Sequence, residues 1–112
     1  MRFLFLIHGD SEAEAALSAD ERMAIVREHV AFGSLLRERG AYVLGEALSG
    51  EAATVRPGDG ALVVDGPFTE TKESVGGFYV VECGNRDEAL ELAKRVPQSP
   101  GVLVEVLTIS DT

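Results

Sequence analysis

SADERMAIVREHVAFGSLLRERG, residues 18–40, is the stretch whose reading decides the fold. Ser18-Ala19-Asp20-Glu21 is a capping box, in which the Ser18 hydroxyl accepts the Glu21 amide while Glu21 reaches back to the Ser18 amide. Ile25, His29, Phe32 and Leu36 then recur at spacings of four, three and four, which draws one apolar stripe down a helix. Val26, Val30 and Leu35 are expected to widen that stripe. Gly40 supplies the left-handed residue that ends a helix, and Arg37 and Arg39 sit against its negative end.

Upstream, Phe3 to Ile7 is a continuous apolar run bounded by His8-Gly9-Asp10, which reads as a turn. Its length suits a central strand covered on both faces. Glu12 to Leu17 is rich in Ala and Glu and predicts a short helical turn. Downstream, Tyr42 to Leu48 reads as a second strand. Ala53 to Arg56 and Ala61 to Val64 flank Pro57-Gly58-Asp59-Gly60 as a hairpin. Residues 65–73 are polar and broken and read as a loop, after which Gly76-Gly77 opens a strand over Phe78 to Glu82. Asn85 caps a second helix with Ala89, Leu92, Ala93 and Val96 on its buried face, Pro97 stops it, and Val102 to Thr108 is the last strand. The order is β-α-β-(β-hairpin)-β-α-β, an α+β ferredoxin-like arrangement with an inserted hairpin. Residues 1–112 form a single domain, with no linker or repeat. Such a sheet leaves one face without helices, and two copies packing those faces make a homodimer.

Ten Lys and Arg against nineteen Asp and Glu give a formal net charge of −9. Nucleic-acid binding rests on neutralising phosphates with basic side chains, so neither DNA or RNA nor an anionic membrane is an expected partner. No apolar run approaches the roughly 18 residues that span a bilayer. The opening Met-Arg-Phe-Leu-Phe-Leu-Ile has no small-residue cleavage site, and a cytoplasmic protein is expected. The lone Cys83, beside Val80 and Val81, reads as a sheet or core thiol rather than a nucleophile. Two histidines and one cysteine offer no metal-ligand spacing, and neither a phosphate-binding glycine loop nor a nucleophile elbow is present. No cofactor is expected.

DGPFTETKE, residues 65–73, followed by Gly76-Gly77-Phe78-Tyr79, resembles the signature of the DGPF branch of the YCII-related family. Phe3 to Ile7 leading to Gly9-Asp10, Gly45-Glu46-Ala47-Leu48, Thr54-Val55-Arg56 and Asp87-Glu88-Ala89-Leu90 resemble further pieces of that family in the same order. Where the family more often has an aromatic residue before Gly-Asp, this chain has His8. The resemblance implies a dimeric α/β barrel with a cleft between sheet and helices. It also implies a His–Asp pair as an active site, with the His on the first long helix, and a setting beside extracytoplasmic-function sigma factors.

Each candidate residue has a chemical and a structural reading. His29 lies on the apolar stripe, where it is either a core residue or a proton-transfer group with an ordinary pKa of about 6.5. Asp65 heads the loop after Leu62-Val63-Val64. It either orients His29 in the cleft or caps the Gly66-Pro67 turn. Asp10 is either a further carboxylate at a strand end or an Asx-type turn, and Glu46 and Arg56 are either part of a binding site or a cross-strand ion pair, the turn and the ion pair being preferred. Thr69, Thr71 and Lys72 carry an anion site or, with Glu70 and Glu73 beside them, a solvated or dimer-bridging loop. Two functions are compatible with these residues. One is a small-molecule-binding protein or cofactor-free enzyme, with His29 and Asp65 as its pair and Phe32, Phe68 and Phe78 lining a pocket for a partly apolar, carbonyl-bearing ligand. The other is a non-catalytic regulatory module whose DGPF loop meets a sigma-factor-linked protein partner.

Overall fold

The computed structural model describes residues 1–68 and 73–111. Its elements are β1 (Arg2–Asp10), α1 (Ser11–Ala15), α2 (Ala19–Glu38), β2 (Tyr42–Ala47), β3 (Ala53–Arg56), β4 (Leu62–Asp65), β5 (Glu73–Glu82), α3 (Arg86–Ala93) and β6 (Leu103–Thr108). Four strands form an antiparallel sheet in the order β2-β5-β1-β6, while β3 and β4 form a separate two-stranded ribbon. The mixed α+β order, with β1 between β5 and β6, is compatible with a ferredoxin-like fold.

Strand alternation divides β1 between two environments. Phe3, Phe5 and Ile7 point to the helix-covered face and join Val81, Phe32, Leu36, Ala89, Leu92 and Val96 in the core. Phe3, Phe5, Leu36 and Val81 are wholly buried, each contributing about 1.5–3 kcal/mol by leaving water. Leu4 and Leu6 point the other way. Register puts Val80 and Phe78 of β5, Leu107 and Glu105 of β6, and Leu44 and Glu46 of β2 on that same helix-free face. So β1 is central, as its apolar run predicts, but helices cover only one of its faces.

The boundaries show where local signals were outweighed. The His8-Gly9-Asp10 turn is instead the end of β1, held by pairing of His8 with Val75 and Leu103 and of Asp10 with Glu73, with a register shift between Ile7 and His8. Likewise β5 begins at Glu73, earlier than Phe78, because its first residues pair with the extended end of β1. The helix ends follow the sequence closely. Ser18 Oγ accepts the Glu21 amide at 3.1 Å and Glu21 Oε1 accepts the Ser18 amide at 3.0 Å. At the other end Gly40 has φ +66°, and the amides of Gly40 and Ala41 donate to Arg37 and Leu36 carbonyls, the paired bonds of a Schellman ending. Asn85 Oδ1 accepts the Glu88 amide at 2.9 Å to start α3.

The stripe on α2 is narrower than its sequence suggests. Phe32, Gly33 and Leu36 are buried and Ile25, His29 and Leu35 are half-buried. Val26 and Val30, however, are exposed, together with Met23. A helix lying on one sheet turns only a limited arc toward it, and these three positions fall outside that arc.

Candidate functional site

The inward faces of α2 and β5 meet at His29 and Tyr79. Helical spacing from Phe32 and Leu36 turns His29 toward the sheet, and strand alternation turns Tyr79, opposite Phe5, toward the helix. The His29 Nδ1 and the Tyr79 hydroxyl are 2.7 Å apart. Their rings are nearly parallel, 14° apart with centroids separated by 5.9 Å, and Phe32 meets the Tyr79 ring edge-on at 5.1 Å. Gly45 lies opposite Tyr79 on β2. A Cβ at Gly45 would fall 2.6 Å from the Tyr79 ring, so the missing side chain makes room for the phenol. Nearby, the Arg37 guanidinium lies 4.1 Å from the centre of the Tyr42 ring.

Burial governs the charge state of the pair. It lowers the pKa of His29, with Glu28 opposing, so neutral imidazole is favoured at neutrality. It raises the pKa of Tyr79, reinforced by Tyr42 and opposed by Arg37, so the phenol keeps its proton. A phenol both donates and accepts, so it serves either imidazole tautomer. When the Tyr79 hydroxyl donates to Nδ1, Nε2 carries the proton and is a donor. When Nδ1–H donates to the Tyr79 oxygen, Nε2 has a free lone pair and is a base. Nε2 has no hydrogen-bond partner among the described residues.

Of the other sequence candidates only Phe32 joins this pair. Asp65 ends β4, paired with Ala53 in the ribbon, and is exposed. No hydrogen bond or ion pair joins Asp65 to His29 among the described residues, and the hydroxyl of Tyr79 occupies Nδ1. Phe32 is buried on the inward face of α2, Phe78 faces the opposite side of the sheet beside Leu6, and Phe68 is 88% exposed. The three phenylalanines therefore do not meet around one cavity within a single chain. Asp10 does make the expected local turn, as its Oδ1 accepts the amides of Glu12 and Ala13 at the start of α1. Glu46 and Arg56 do not pair with each other. β2 pairs with β5 and the ribbon closes on itself, which puts the two side chains in different sheets. Thr69, Thr71 and Lys72 lie outside the described residues.

Sequence reasoning missed two participants in the site, Tyr79 and Gly45, and one contact on the other face of the sheet. Tyr79 stood only in the Gly-Gly-Phe-Tyr run; its partner emerges from register between β1 and β5. Gly45 was noted only within a motif, and its contact with Tyr79 depends on pairing between distant strands. Glu105 Oε1 lies 2.8 Å from His8 Nε2 on the helix-free face, with the carboxylate as acceptor, a contact that required β1 to continue through His8. Among the described residues no group of three or more His, Cys, Asp or Glu side chains is arranged to hold a metal ion. No helix there is long and apolar enough to cross a membrane.

The model of the YCII-related domain matches residues 1–111. This chain belongs to the YCII-related family. An uncharacterised protein of Rhizobium meliloti (strain 1021) is 35% identical to it over 97 residues, covering 84% of this chain and 78% of that protein. The match of the YCII-related domain spans all three helices and six strands described above, so His29, Tyr79 and the ribbon all belong to the matched domain.

Proposed function

We propose that this YCII-related chain binds a small carbonyl-bearing molecule and acts as a cofactor-free proton-transfer catalyst, with His29 as the acid–base group and Tyr79 as its positioning partner. The observation that carries this reading is the 2.7 Å contact between His29 Nδ1 and the Tyr79 hydroxyl. It fixes one imidazole nitrogen and leaves the other for a ligand, the arrangement that lets a histidine exchange a proton. A lowered histidine pKa supports the base form near neutrality. The bond changes are simple. Nε2 takes a proton from the carbon beside the ligand carbonyl, the electron pair moves to the carbonyl oxygen as an enolate, and the same nitrogen returns a proton.

The test is hydrogen–deuterium exchange at that carbon in D2O, using a panel of small aliphatic and aromatic ketones, aldehydes and 2-oxo acids. Exchange faster than in buffer, lost by about 10²–10⁴-fold in His29→Gln, is the expected result. Exchange no faster than buffer across the panel, or equal in His29→Gln, ends the proposal. The His29–Asp65 pair is tested alongside by Asp65→Asn. With Tyr79 as the positioning partner this variant keeps its activity. A loss as large as that of His29→Gln returns the orienting role to Asp65.

A further inference from the structure

We infer that Arg37 is the carboxylate-binding residue of the His29–Tyr79 site, which makes the ligand a 2-oxo acid rather than a neutral ketone or aldehyde. The inference rests on the proton-transfer reading of His29 and names its substrate class. Arg37 follows His29 by about two helical turns, and its guanidinium turns back toward it. One terminal nitrogen of that group would lie 3.3 Å from a Cβ at Gly33, so the side chain folds along the helix by one turn. Gly33 is four residues from His29, on the same side of α2 and about 6 Å from it along the axis. A glycine inside a helix is otherwise unfavourable. Here its missing side chain leaves space for the guanidinium at a position the fold buries.

The sheet holds the guanidinium from the other side. Its centre lies 4.1 Å from the centre of the Tyr42 ring, and Tyr42 packs against the core from β2 as Tyr79 does from β5. The field of Arg37 reaches Tyr79, where it opposes the rise in the phenol pKa that burial causes. Stacking on a ring uses the plane of a guanidinium and leaves its edge of N–H donors, the fork that matches a carboxylate. The protein does not fill that edge. Among the described residues the Arg37 side chain makes no hydrogen bond or ion pair, although the chain holds nineteen Asp and Glu. One surface of α2 thus offers a held cation and, about one turn further back, the imidazole Nε2 that no side chain occupies.

A 2-oxo acid uses both groups. Its carboxylate accepts the paired N–H groups of Arg37, and the carbon on the far side of its carbonyl comes to Nε2. Nε2 takes a proton from that carbon, the electron pair moves to the carbonyl oxygen as an enolate, and the same nitrogen returns the proton. The carboxylate stays on Arg37 throughout. A neutral ketone offers Arg37 nothing and forgoes the orientation which that contact gives.

Matched ligands read the contact directly: 2-oxobutanoate against butanone, in which a methyl group replaces the carboxylate. Dissociation constants come from NMR titration of the wild type, Arg37→Met and Arg37→Lys, with far-ultraviolet circular dichroism as the check on folding. Exchange at the proton-bearing carbon is followed in D2O with the same ligands. The wild type is expected to bind 2-oxobutanoate at least about tenfold more tightly than butanone. Arg37→Met should bring that ratio close to one by weakening 2-oxobutanoate. Arg37→Lys, which keeps the charge without the fork, should retain part of it. A wild-type ratio near one, no binding of either ligand, or a ratio that survives in Arg37→Met overturns the inference. Arg37 is exposed, so the methionine leaves the core untouched, and the wild-type ratio is decisive without any variant. The two readings fail separately. A tenfold preference with no exchange of either ligand keeps the carboxylate contact and ends the proton transfer. Exchange of both ligands at equal affinity keeps the proton transfer and ends the role of Arg37.

Discussion

Tyr79 reaches His29 from a strand fifty residues further along the chain, its hydroxyl 2.7 Å from the imidazole Nδ1. Phe32 holds the phenol from the side and the absent side chain of Gly45 gives it room. A helix and a strand thus hold both members of the pair, which limits how far either ring can swing.

Removing the hydroxyl tests whether that contact sets the state of the imidazole. In Tyr79→Phe the ring packing remains but Nδ1 loses its partner, at a cost of about 1 kcal/mol in stability. Nitrogen-15 shifts of the His29 ring should show Nδ1 hydrogen-bonded in the wild type and that bond lost in the variant. The same Nδ1 shift in both proteins would mean that Tyr79 does not hold His29.

A second expectation concerns stability against pH. Burial lowers the folded-state pKa of His29 below its ordinary value of 6.5, so the unfolded chain binds the proton more readily than the folded one. Between the lowered value and 6.5 the unfolded state carries more protons, and stability must rise with pH there and level off above it. The thermal midpoint of the wild type should therefore fall as pH drops below about 6.5, above the range in which carboxylates titrate. In His29→Gln that part of the slope should disappear. An identical slope in the two proteins would assign it to other groups.

Cys83 should be a slow nucleophile. Burial raises its thiol pKa, with a backbone hydrogen bond of Asn85 opposing and Glu88 adding to the rise, and the thiolate is the reactive form. Alkylation by iodoacetamide at neutral pH should be slower in the native chain than in the urea-unfolded chain. Equal rates would contradict the buried-thiol reading.

What the sequence could and could not convey follows from the range of each signal. The ends of α2 depend on contacts within five residues, so Ser18, Glu21 and Gly40 were readable from spacing and side-chain type. The inward turn of His29 was readable for the same reason. The partner of His29 was not, because Tyr79 is chosen by strand register, and register reflects pairing across the whole sheet. Asp65 was a reasonable candidate by position after a strand, but β4 pairs only with β3 and carries Asp65 into the ribbon. Val26 and Val30 looked like core residues because hydrophobicity records what a side chain favours, not which neighbour covers it. Their exposure, like that of the ribbon, belongs to the tertiary arrangement.

Gly45→Ala gives the most direct test of the site as a packed unit. The new Cβ would stand 2.6 Å from Cδ1 and 2.8 Å from Cε1 of Tyr79, closer than real atoms approach. Alanine is otherwise acceptable here, since the φ of Gly45 is not among the positive values of the chain. The conflict is therefore with the ring alone. Phe32 on one side and His29 on the other leave the ring little room, so either the phenol shifts or β2 moves outward. Overpacking of this kind typically costs about 1–3 kcal/mol. Shifting the phenol also breaks the contact with Nδ1, so the His29 Nδ1 shift should move toward that of Tyr79→Phe. Combining Gly45→Ala with Tyr79→Leu removes the ring that the methyl group would strike. If the ring is the cause, Gly45→Ala should cost clearly less stability in that background than alone. Equal costs in both backgrounds would place the conflict in the backbone of β2, and the glycine would no longer be part of the site.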